Sequence, residues 1–210
     1  MNRLISSLCL LAIVTYADDL SDAKIALSSG NYQSATTIFS NLANNGNIEA
    51  QTTLGFMYEQ GQGVAQDYKE AFKWYEKAAN QQHLASQNRI GYMYEFGQGV
   101  AQDPKEAFKW YEKAANSGFI QSQYNLASLY YNGNGVIRNY KEAFKWFEKA
   151  SIQGYDRAQY NIAAMYDNGY GTEINKQKAY ELLQQSSKQG NQKAQNYLTH
   201  FCKRNSDICK

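Results

Sequence analysis

Ser21-Asp22-Ala23-Lys24 places a hydroxyl and an amine three residues apart, neighbours on one face if the segment is helical. This is the Ser-x-x-Lys arrangement of acyl-transfer serine nucleophiles, found in penicillin-recognising enzymes. That chemistry also needs a base, an oxyanion hole and companion Ser-Asp-Asn and Lys-Thr-Gly motifs, and the chain carries neither motif. A bare four-residue match reads as coincidence. His83 and His200, the two histidines, lie too far apart in the chain's organisation to share a Ser-His-Asp set, and His83 reads as a solvated turn residue. Gly97-Gln98-Gly99 has no strand before it and no P-loop lysine after it, so it is not a phosphate cradle. Glu112 and Glu148 are flanked by Lys113 and Lys149 and read as charge-balanced surface. The chain is expected to be no enzyme and to hold no cofactor.

Cysteine supplies the remaining candidate chemistry. Cys9 falls inside the first 17 residues, where Arg3, an apolar stretch from Leu4 to Val14 and the small residues of Thr15-Tyr16-Ala17 have the layout of a secretory signal peptide cut after Ala17. The stretch is roughly half the ~20 residues of a spanning helix, and no later segment is apolar enough to span. The mature chain, 18–210, is therefore expected to be periplasmic or secreted. It keeps Cys202 and Cys209, which read as one short disulfide in an oxidising compartment. The weaker alternative, a metal site with His200, offers only three ligands at irregular spacing.

The elements that carry these residues follow from a period of 36. Trp74, Trp110 and Trp146 are spaced by it, as are Tyr58, Tyr94, Tyr130 and Tyr166, and Gln51, Gln87, Gln123 and Gln159. The pair Gly61/Gly63 recurs as Gly97/Gly99, Gly133/Gly135 and Gly169/Gly171. The repeats are 48–83, 84–119, 120–155 and 156–191, and the first two share 24 of 36 residues. Each reads as a helix, a Gly-rich turn and a second helix. Asp67, Asp103 and Asn139 are N-caps with Glu70, Glu106 and Glu142 completing capping boxes, and Pro104 suits a first helical position. Residue 175 repeats the Asn, but Lys178 leaves that box incomplete. Ala107, Phe108, Tyr111, Ala114 and Ala115 form one apolar stripe. Small residues at 55, 91, 127 and 163 would let helix backbones approach. Residues 18–47 read as N-terminal tetratricopeptide-like capping helices, and 192–210 as a capping helix with a cysteine-closed tail.

The pattern Ala50…Leu54-Gly55…Tyr58…Gly61-x-Gly63-Val64…Asp67…Lys69-x-Ala71…Trp74-Tyr75…Ala78-Ala79 resembles the Sel-one-like repeat, a relative of the tetratricopeptide repeat. Repeats one to three match it closely; in the fourth, Leu182 replaces the Trp and Thr172 the Val. The resemblance implies an all-α, right-handed superhelical solenoid of α-hairpins that serves as an adaptor or interaction scaffold, with exported bacterial members linked to signalling, envelope functions or host contact. Some cysteine-rich relatives have been described as β-lactamases, which makes a β-lactam- or peptidoglycan-acting envelope protein the alternative; the disulfide in every repeat that marks them is missing here.

The repeats also show where a partner would bind. Positions 50, 51, 54, 55, 57 and 58 are nearly fixed from repeat to repeat, whereas 49, 53, 56 and 60 vary, and their spacing of four, three and four puts each set on one helical face. That face is expected to line the concave surface and meet a peptide or protein. Phe56, Arg89, Tyr92 and Phe96 are the expected anchors, since aromatic and Arg side chains dominate hot spots. Gln60, Asn125, Arg157 and Asn161 complete the predicted site, the Asn side chains as hydrogen-bond partners of an extended peptide. The net charge of +2 offers no field for nucleic acid or anionic lipid. A monomer is the expected state.

Overall fold

The computed structural model describes residues 19–210. The expected signal at 1–17, with Cys9, lies outside the described residues. Helix α1 occupies residues 19–28. It is followed by α2 (Tyr32–Asn44), α3 (Ile48–Gln60), α4 (Tyr68–Asn80), α5 (Leu84–Phe96), α6 (Pro104–Asn116), α7 (Ile120–Asn132), α8 (Tyr140–Ile152), α9 (Asp156–Asn168), α10 (Lys176–Lys188) and α11 (Gln192–Arg204). No strand occurs among the described residues. The all-α class follows from composition: Ala, Lys, Glu and Gln favour helix, and Pro104 stands at a helix start.

The described residues fall into two compact units, the first ending at Gln102 and the second spanning Asp103–Lys210. In the first, α1 to α4 pack around Ala23, Phe39, Leu42, Leu54 and Met57, and α5 packs on α4. In the second, α6 to α11 bury Tyr111, Leu126, Leu129, Phe147, Met165, Leu183 and Phe201. Antiparallel hairpins joined by short loops are what a narrow apolar stripe per helix demands, because one pair cannot cover its own stripe.

The period of 36 is visible as recurring contacts. Edge-to-face ring pairs join Phe72 to Tyr94, Phe108 to Tyr130 and Phe144 to Tyr166, with centroids 5.4, 5.3 and 5.1 Å apart. This geometry sets ring edge against ring face and adds to area burial. The next tyrosine position is held by Cys202, which is bonded to Cys209 over a Cα–Cα distance of 5.5 Å. Both cysteines pack on the terminal core of Leu183 and Phe201, so the disulfide closes the core where the ring series ends. His200 has no part in it.

The Gly-rich turns have two different jobs. The first glycine caps the helix in the left-handed region, as Gly61 does at φ 69°. The second lies against the start of an earlier helix. A Cβ on Gly63 would stand 2.3 Å from the Tyr32 carbonyl oxygen, and one on Gly171 2.1 Å from that of Tyr140. Backbone meets backbone there, and only glycine fits.

Two local expectations are corrected. Asp67 does cap α4, its Oδ1 accepting from the Lys69 and Glu70 N–H groups at 2.8 and 3.1 Å. Glu70, however, does not reach back: the Asp67 N–H already donates to the Tyr58 carbonyl at 2.9 Å, and Glu70 pairs with Lys73 instead. Asn139 and Asn175 likewise give their N–H groups to Tyr130 and Tyr166. The small residue at 55 admits a ring rather than a helix backbone, since a Cβ on Gly55 would meet Tyr75 at 3.0 Å.

Candidate interaction surface

In the first unit, Arg89, Tyr92 and Phe96 form one cluster along α5. The guanidinium lies over the Tyr92 ring, 4.5 Å from its centroid, and the Tyr92 and Phe96 rings are 4.5 Å apart. Phe96 is 55% exposed and Phe56, on α3, 45%. Arg89 is also bound into the fold. Its Nη2 meets Glu59 Oε1 at 2.7 Å and its Nε donates to Glu59 Oε2 at 2.9 Å. Tyr75 Oη donates to the same Oε2 at 3.1 Å. Burial and the Glu59 carboxylate push the Tyr75 phenol above its ordinary range, so it stays a donor. Gln60 is exposed and its amide donates to Glu59 Oε1 at 3.2 Å.

In the second unit the same face opens into two cavities. One, of about 460 Å³, is lined by Tyr124, Asp156, Arg157, Tyr160, Asn161 and the start of α11 through Lys193. The other, of about 300 Å³, is lined by Tyr124, Ser128, Tyr131, Asn132, Phe147, Tyr160, Asn161 and Ala164. Tyr124, Tyr160 and Asn161 belong to both, which makes them one groove. Arg157 and Asn161 of the predicted set are thus brought together. Asn125, half-buried on α7, is outside both linings. Lys193 and the tyrosines were not singled out in the sequence. Two signals pointed to them: Lys193 stands 36 residues beyond Arg157, and position 124 varies as Thr52, Asn88, Tyr124, Tyr160.

The fixed positions, by contrast, are consumed by packing. Gln51, Gln87 and Gln123 send their amides to the carbonyls of Ala43, Ala79 and Ala115. The Gln51, Gln123 and Gln159 oxygens accept from Gln81, Gln153 and Gln189 at 2.7 to 2.8 Å. Position 117 is Ser, and Gln87 Oε1 is a buried oxygen without a hydrogen bond.

A buried acid went unforeseen. The Asp167 side chain is 0% exposed and meets Lys176, Arg204 Nη2 at 3.1 Å and Tyr197 Oη at 2.6 Å. Burial opposes its ionisation, but hydrogen bonds from Lys176 and Tyr197 and the charges of Lys176 and Arg204 prevail, and its pKa lies below the ordinary value. Nor is His83 simply solvated. Its Nδ1 accepts from the Ser86 N–H at 3.3 Å as the N-cap of α5, and burial lowers its pKa.

No group of three or more His, Cys, Asp or Glu side chains is placed to hold a metal ion among the described residues. Lys24 of the Ser-x-x-Lys run ion-pairs with Glu49 at 2.6 Å.

Stacked α-hairpins, glycine-locked turns and a first-helix face that varies between repeats define a helical-repeat protein of the tetratricopeptide-related class. The chain belongs to the Sel1 repeat family, whose model matches residues 48–83, 84–119, 120–155 and 156–191. It is similar to a protective antigen of uropathogenic Escherichia coli strains that displays an SLR fold, with 32% identity and a TM-score of 0.83 over 89% of this chain. It spans 42% of the length of that protein. A Sel1 repeat protein from Oxalobacter formigenes is 33% identical, with a TM-score of 0.79, over 85% of this chain and 73% of its own. A Sel1 repeat protein of Klebsiella pneumoniae, at 23% identity and a TM-score of 0.55 over 89% of this chain and 92% of its own, shares the fold. No curated protein matches significantly.

Proposed function

We propose that the protein is a non-catalytic scaffold that binds a peptide or protein on its first-helix face. The observation that carries this is the open groove of the second unit, walled by Ser128, Asn132, Arg157, Asn161 and Ala164, the positions that differ between repeats. Positions that stay constant hold helices together; positions free to vary on an open face are available to specify a partner. The groove combines aromatic rings with amide groups, the make-up of a surface that orders a peptide main chain.

We infer further that the protein works outside the cytoplasm. The signal-type layout of 1–17 supports this, as does a disulfide that seals the terminal core. A relative that is a protective antigen accords with it. No helix of the described residues is long and apolar enough to cross a membrane.

The test is partner capture by the wild type beside an Asn132→Arg/Asn161→Arg variant of unchanged helicity. Loss of capture in the folded variant supports the groove; full retention places the contact elsewhere.

A further inference from the structure

We propose that the groove of the second unit selects an extended peptide segment carrying aspartate or glutamate side chains, with Arg157 and Lys193 pairing to those carboxylates. This rests on the peptide-binding reading above and adds the chemistry of the partner.

One repeat position changes sign along the chain: Glu49, Ala85, Gln121, Arg157, Lys193. Glu49 is already met by Lys24. At the other end, Arg157 and Lys193 occupy equivalent positions one repeat apart and line the same cavity of about 460 Å³. Among the described residues neither is in an ion pair. Arg157 is exposed at the cavity mouth, beside the Tyr155 phenol. The carboxylate in the lining, Asp156, accepts from Asn191 Nδ2 at 2.8 Å. Two like charges on one wall repel, and an anion between them relieves that repulsion.

The rest of the groove fits a peptide better than another anion. Tyr124 and Tyr160, also 36 residues apart, offer rings for neighbouring side chains, and the Asn161 amide can both donate to and accept from a main chain. The groove itself carries two basic residues, Arg157 and Lys193, in a chain of net charge +2, too little for a phosphate backbone or an anionic membrane.

The experiment presents the full chain with three short random peptide libraries, acetylated and amidated so that no terminal charge remains. A central residue pair is fixed as Asp-Asp, Asn-Asn or Lys-Lys. The Asp library should be retained about fivefold to tenfold over the Asn library at low salt, as two surface ion pairs allow, with the advantage fading as salt rises. Arg157→Ala/Lys193→Ala should abolish the preference, and Arg157→Glu/Lys193→Glu should transfer it to the Lys library. Both cations are exposed, so the variants are expected to fold. Retention of all three libraries alike, or an acid preference that survives the double substitution, overturns this inference while leaving the scaffold reading intact. Retention of none also overturns this inference, and partner capture alone then decides the scaffold reading.

Discussion

The Glu59 carboxylate and the Arg89 guanidinium meet as a two-point ion pair, at 2.7 and 2.9 Å, across thirty residues of chain. Asp167 and Tyr197 stand in the same relation one hundred and eight residues on, with Tyr197 Oη donating to Asp167 at 2.6 Å. An acidic residue near the end of one first helix thus finds its donor on the first helix of the next repeat. With the Glu59 side chain 13% exposed, Arg89→Ala strands a largely covered carboxylate and should cost roughly 2 kcal/mol. Glu59→Gln/Arg89→Ala should cost less than the two single changes added together, a coupling that urea denaturation of the four proteins measures.

Gly171 sits at φ 71° with a Cβ position 2.1 Å from the Tyr140 carbonyl oxygen. Gly154 has a similar φ of 85° but open space around it. Gly154→Ala should cost about 1–2 kcal/mol, the penalty of a left-handed L-residue. Gly171→Ala adds a backbone collision and should cost clearly more, so comparing the two melting curves isolates the hairpin-to-hairpin contact.

His83 links pH to stability. Its neutral Nδ1 is the acceptor that caps α5, and burial lowers its folded-state pKa below the ordinary value of 6.5. Below 6.5 the unfolded chain takes up the proton first, so stability is present above that pH and is lost as pH falls through the folded pKa. Wild-type Tm should therefore decline on moving from pH 7 to 5. His83→Asn keeps a capping acceptor and should flatten that stretch of the curve.

Asp167 acts lower on the pH scale. Its folded pKa lies below the ordinary 3.8, so its contribution is complete above about pH 4 and disappears as pH falls through the folded value. Asp167→Asn should remove that acid-sensitive component and, at neutral pH, cost roughly 2 kcal/mol for the weakened buried network. Thermal denaturation from pH 2 to 7 checks both.

What could be read from the sequence was what repeats. Trp74, Trp110 and Trp146 fixed the period, Asp67 and Asp103 marked second-helix starts, and Cys202 with Cys209 stood out as the pair beyond the signal-like segment. What escaped was pairing between residues that break the pattern. Asp167 replaces the Glu of positions 59 and 95, and its donors Tyr197 and Arg204 lie past the last full repeat, so no periodicity ties them together. His83 looked like a turn residue because a ring nitrogen is an uncommon cap. Arg89 was recognisable as an exposed-face variant, but its partner Glu59 occupies a position that seemed unremarkable by itself. The groove was half legible: Arg157 and Asn161 came from the varying positions, whereas the tyrosine walls appear only once α7, α9 and α11 are side by side.

The central claim, that the first-helix face of the second unit is where a partner lies, is tested most directly by site-specific photocrosslinking in the native compartment. A photoreactive residue at Asn161 should yield a discrete crosslinked species, whereas the same residue at Lys145, exposed on α8, should yield none. A crosslink at Lys145 with silence at Asn161 would contradict the account and move the interaction to the second helices.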